Sequence, residues 1–136
     1  MSYYPKKPIR SFQDLQVYQL SYNLMVKIIK MEGCDPSVNL KKTVLAIPRL
    51  IVIAHSYRFG DSQKAIETLE KAMLNCNLAV HYLELARDLP GSDLPQGPTL
   101  NELDFSSFIK QYLQIRGKIM RLQMSWKKFT QEYANK

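Results

Sequence analysis

Residues 62–89 read SQKAIETLEKAMLNCNLAVHYLELARDL, and this stretch decides the fold. Ala65, Ala72, Ala79 and Ala86 fall on one seven-residue repeat, with Leu69, Cys76 and Leu83 at the alternating positions. Apolar residues spaced four and three apart keep one seam of a helix against a partner helix. Small residues along that seam let the two backbones approach closely. A second stripe of Ile66, Met73 and Val80 runs beside the first. Asp61 follows Gly60 and stands where a side-chain cap belongs, so the helix begins at Ser62.

Working outward, residues 104–134 predict the longest helix. Phe108, Tyr112, Ile115, Ile119, Leu122, Trp126, Phe129 and Tyr133 alternate by four and three. On the other side of this segment lie Lys110, Arg121 and Lys128, a row of cations facing away from the packing seam. Residues 90–103, rich in proline and glycine, form the loop before it. N-terminal to the alanine seam, residues 37–57 carry an apolar face of Leu40, Val44, Ile47, Ile51 and Ala54. Pro48 lies inside this helix and predicts a kink. The β-branched run at residues 50–54 has no second strand to pair with and is read as helix. The first helix is predicted from Ser11, with Asp14 placed for a capping box. It shows two apolar faces, Leu15, Tyr18, Tyr22, Met25 and Ile29 on one and Val17, Leu24, Ile28 and Met31 on the other. It ends at Gly33, with Pro36 just beyond.

Four helices with short connections predict an all-α, up-down antiparallel four-helix bundle. At 136 residues the chain suits one domain, with residues 1–10 as a basic N-terminal arm. A hydrophobic content of 46% and a charged content of 23% place it among ordinary globular proteins. No apolar run approaches the roughly 20 residues that span a bilayer. The start, MSYYPKKPIRSF, lacks the apolar segment of a secretory signal, so a cytoplasmic protein is expected. Cys34 and Cys76 make no disulfide framework; Cys76 lies on the alanine seam and reads as a small buried residue.

The chain carries no catalytic constellation. There is no phosphate-cradling glycine loop, no nucleophile elbow and no metal-spaced Cys/His group. His55 and His81 fall on different helices, and the inward carboxylates and Glu-x-x-His spacing of a bundle metal site are missing. We therefore expect no enzyme, no metal and no cofactor.

Charge is the more informative signal. The formal net charge is +7, and the excess is uneven. Lys6, Lys7 and Arg10 lie on the arm with no acid before Asp14, whereas residues 61–89 are slightly acidic. Lys42 and Arg49 share one face of the second helix. With Lys110, Arg121 and Lys128, these are the candidate contacts to a polyanion, whose phosphates would be held electrostatically with little sequence readout. Tyr3, Tyr4, Tyr57 and Phe59 lie near Lys6, Lys7 and Arg58, a mixture that can stack on single strands. Phe59 is read as a packing residue, and the N-terminal tyrosines stay open between the two roles.

The order of elements resembles a known family of four-helix bundles. Ser11-Phe12-Gln13-Asp14-Leu15-Gln16-Val17-Tyr18-Gln19 is similar to the opening F-x-x-L-x-V-W/Y-Q of the family. It holds the ribosomal-RNA intervening-sequence proteins and the accessory variability proteins of diversity-generating retroelements. Ala46-Ile47-Pro48 and Ile53-Ala54 sit where the family has S-I-P-x-N-I-A-E-G. Ala72–Asn75 and Leu83-Glu84-Leu85-Ala86 resemble its third-helix A-L-G-S and L-x-L-A. Arg49-Leu50-Ile51-Val52 replaces the usual Asn-bearing stretch, His55-Ser56 stands for Glu-Gly, and Leu74-Asn75 for Gly-Ser. These departures, with the basic last helix and its Gly117-Lys118 and Trp126-Lys127, look more like the retroelement branch. The resemblance implies a homopentameric barrel that binds nucleic acid and a reverse transcriptase without catalysing copying. The alternative is a structural oligomer, or a protein-interaction scaffold, whose basic face meets an acidic partner. Membrane-surface binding is disfavoured because the apolar faces are committed to packing.

Overall fold

The computed structural model describes residues 11–30, 38–89 and 102–134. Four helices fill these segments, with no strand among the described residues: α1 Gln16–Ile29, α2 Val38–Tyr57, α3 Ser62–Asp88 and α4 Glu102–Ala134. The arm at residues 1–10, the Gly33 helix end, Cys34 and residues 90–101 of the last loop lie outside the described residues.

The seam of α3 is buried along its whole length, from Ala65 through Leu69, Ala72, Cys76, Ala79 and Leu83 to Ala86. Asp61 caps the helix by accepting from the Lys64 backbone N–H at 3.1 Å. Small side chains suit α3 because it is flanked twice, packing extensively against both α2 and α4. Its second stripe belongs to the same arrangement. Met73 and Val80 lie half-buried against the core.

α2 buries Leu40, Val44, Ile47, Ile51 and Ala54 as its spacing predicted, and it runs unbroken through the buried Pro48. The proline removes one backbone N–H at a cost of about 3 kcal/mol, and burial of its ring offsets part of that. Thr43 and Thr68 are buried within α2 and α3, and each hydroxyl donates to a carbonyl four residues back. That local bond lets a hydroxyl sit against the core without a distant partner.

α1 departs from expectation at its start. The Ser11–Asp14 capping box forms, but it caps only a single 3-10 turn, Phe12–Asp14. Leu15 is extended, and the α-helix begins at Gln16. Val17, Ser21, Leu24 and Ile28 form its buried face. Tyr18, Met25 and Ile29 are only half-buried and Tyr22 is exposed, so of the two predicted faces the one from Tyr18 to Ile29 lies at the margin of the core, while Met31 of the other lies outside the described residues.

α3 and α4 run antiparallel. Gln123 on α4 donates to the Ile66 carbonyl at 3.1 Å and to Glu70 at 2.6 Å. Farther along α3, Cys76 lies within electrostatic reach of Tyr112 and Arg116. α1 touches α2 and α4, α2 touches α3, and α3 touches α4; among the described residues neither α1 and α3 nor α2 and α4 are in contact. This closed order is that of an up-down bundle. α4 buries Phe105, Tyr112, Ile115, Ile119, Gln123 and Trp126, whereas Phe129, the penultimate residue of the predicted heptad, is 42% exposed. No described helix is long and apolar enough to cross a membrane.

Candidate nucleic-acid interface

The packing of α4 determines where its charges go. With Tyr112, Ile119 and Trp126 turned inward, Lys110, Arg121 and Lys128 stand on the opposite side, eleven and seven residues apart and so close to whole turns. All three are exposed, and among the described residues none forms an ion pair. Arg116, Lys118 and Lys127 widen the row, and no acid interrupts the chain between Asp104 and Glu132. Lys118 is tied down, its Nζ donating to Gln16 on α1 at 3.4 Å.

Lys42 and Arg49 are also exposed, on the side of α2 opposite its buried face. α2 and α4 do not touch, so these two rows look outward from diagonal corners of the bundle. The structure therefore gathers Lys110, Arg121 and Lys128 into one row and keeps Lys42 and Arg49 apart from it. Lys6, Lys7 and Arg10 lie outside the described residues.

An open groove of about 740 Å³ follows the outer flank of the α3–α4 contact. Glu67, Glu70 and Arg116 line it together with Met73, Leu74 and Met120. Leu74 is 56% exposed, and Met120 and Met124 are comparably open along the same flank of α4.

A second feature was missed in the sequence. Phe59, expected to pack, is 74% exposed in the turn between α2 and α3. The Arg58 guanidinium lies 4.8 Å from its ring centre and 5.1 Å from that of the buried Trp126. Phe129 approaches Phe59 edge-on at 6.3 Å. Lys64 sits 4.6 Å over the Tyr57 ring close by. Burial lowers the pKa of Arg58, and burial followed by the Arg58 charge lowers that of His55. The sequence signal available was the Tyr57-Arg58-Phe59 cluster itself. Its completion by Trp126 and Phe129 needs the tertiary fold.

Among the described residues, no group of three or more His, Cys, Asp or Glu comes together as a metal site would require. Cys76 is buried, and that burial pushes its thiol pKa up to about 12 against the weaker pull of Arg116. The thiol is therefore protonated at neutral pH and a poor nucleophile. The Tyr112 hydroxyl and the Trp126 indole N–H are buried with no hydrogen-bond partner among the described residues, and burial raises the Tyr112 pKa well above the ordinary phenol range.

Compared with known proteins, the chain matches no family model, no curated protein and no solved structure.

Proposed function

We propose that this protein is a non-catalytic nucleic-acid-binding subunit that docks phosphate backbones on the outer face of α4. One observation carries this reading. Lys110, Arg121 and Lys128 form a solvent-facing row with no paired carboxylate among the described residues, on a helix whose opposite side is committed to the core. Cations left unneutralised along a rigid helix attract a polyanion and release its counterions on contact. Such binding is largely blind to base sequence.

The motifs resembling the retroelement accessory proteins extend the proposal. On that reading, the chain works as a homopentamer beside a reverse transcriptase and its template RNA. The test is fluorescence anisotropy of a labelled RNA and a DNA–RNA hybrid across a salt series. Submicromolar binding at near-physiological salt, falling steeply as salt rises, is the expected result. Binding confined to low salt would remove the reading. Light scattering tests the assembly separately, with five times the 15.8 kDa chain mass expected.

The second reading, a protein-interaction scaffold, has its own observation. Leu74 and Met120 expose apolar surface in the α3–α4 groove, which charged Glu67, Glu70, Lys71 and Arg116 also line, and Met124 is exposed one turn beyond Met120. Apolar surface rimmed by charge is a common mark of protein contact. An interface between copies, or with a polymerase, would use this flank and leave the α4 row open.

A further inference from the structure

We infer that the corner formed by Arg58, Phe59, Trp126 and Phe129 holds an unpaired base of a single-stranded nucleic acid. This inference rests on the nucleic-acid reading of α4 and assigns that face a preference for single strands.

A phenylalanine 74% open to water in a turn gains little from the fold. Arg58 sits beside it, its guanidinium near the rings of both Phe59 and Trp126. Among the described residues no carboxylate pairs with Arg58. Asp61, the acid next along the turn, accepts from the Lys64 backbone N–H as the α3 cap. The corner thus offers an aromatic face and an unneutralised planar cation around a recess of about 360 Å³, lined also by Ser62 and Thr130. Among the described residues nothing acidic lines that recess.

Bases in a duplex are stacked on one another and present no free face, whereas an unpaired base stacks readily on an aromatic ring or a guanidinium plane. Position supports the same occupant. Phe129 follows Lys128 directly, about 100° round the helix, so the last cation of the α4 row stands beside this corner. A strand tracking Arg121 and Lys128 by its phosphates would arrive with a base beside Phe59 and its next phosphate beside Arg58. Phe59 and Phe129 then supply stacking, and Arg58 neutralises charge while stacking in turn.

The experiment compares an oligouridine with a blunt RNA duplex of equal length, titrated into the full chain at near-physiological salt. Trp126 is the single tryptophan of the chain and lies under Arg58, so its emission reports on the corner. The expected result is tighter binding of the oligouridine, with Trp126 emission changing on saturation. Phe59→Ala should then cost the single strand about tenfold in affinity and leave the duplex unaffected. Phe59→Trp should retain single-strand binding, measured by anisotropy because it adds a second emitter. Since Phe59 is exposed, both variants should keep the circular dichroism of the parent.

If both nucleic acids bind and Phe59→Ala changes neither, or both equally, the stacking corner is overturned while the α4 reading stands. If the parent binds neither, that reading falls and this inference falls with it.

Discussion

α2 and α4 stand at diagonal corners of the bundle, and each turns cations to water, yet their surroundings differ. Lys42 and Arg49 flank Leu45, an exposed apolar residue, on a helix that ends near the Arg58–Phe59 turn. Lys110, Arg121 and Lys128 are joined by Arg116, Lys118 and Lys127, and the last of the row stands beside the aromatic corner. Isolated surface charge keeps many proteins soluble. A row becomes a candidate site when its neighbours are cations and stacking rings, and α4 carries the denser set, six cations against Lys41, Lys42 and Arg49 on α2.

The strongest way to break this comparison is to reverse each row separately. Lys110→Glu, Arg121→Glu and Lys128→Glu together should lower RNA affinity about a hundredfold or more and reduce the salt slope by about two to three. Anisotropy across salt reads both quantities. Unchanged affinity would exclude the α4 row.

The next effect concerns the scaffold that keeps the rows apart. Ala72→Leu inserts three heavy atoms into the fully buried α3 seam. Overpacking there should lower stability by about 2 kcal/mol, read by urea denaturation. An unchanged midpoint would mean that the seam is looser than the buried alanines indicate.

Smaller still should be the α2 reversal. Lys42→Glu with Arg49→Glu is expected to change affinity only about two- to threefold through the general field. A loss equal to that of α4 would erase the distinction between the two rows.

The smallest effect is on pH dependence. His55 titrates below its ordinary value in the folded protein, because burial and then Arg58 disfavour its charged form. The unfolded chain therefore binds this proton more readily. The His55 contribution is favourable above the unfolded pKa of about 6.5 and is lost as pH falls below it. Thermal midpoints on either side of that pH, for the parent and His55→Gln, should show a slightly shallower acid decline in the variant.

How much of this was legible depends on whether burial imposes a period. In α3 every seam position faces another helix, so Ala65 to Ala86 announce themselves at fixed spacing. The same holds for Tyr112 to Trp126 and for α2 through Pro48. α1 was read less well, because only one of its faces is fully covered and Leu15 interrupts the helix despite a sound cap. That Lys42 and Lys110 each face water follows from their own helices. That they face away from each other does not, since it depends on which helices are neighbours. Phe59 was misread because an aromatic beside a helix end ordinarily packs. Its partners Trp126 and Phe129 come from the far end of the chain, and no local pattern joins them. Gln123 was missed for a related reason: a glutamine in a heptad reads as surface until its bonds to Ile66 and Glu70 are seen.

Gly117 stands midway along α4 and lines the outer groove, and a Cβ built there meets nothing within 4 Å. The seam alanines are held small by their neighbours; this glycine is not. The longest helix therefore contains a vacant seat at its waist, open to the solvent side. A cysteine placed there would carry a dye or spin label without displacing a core atom, giving the bundle a reporter positioned between its two candidate surfaces.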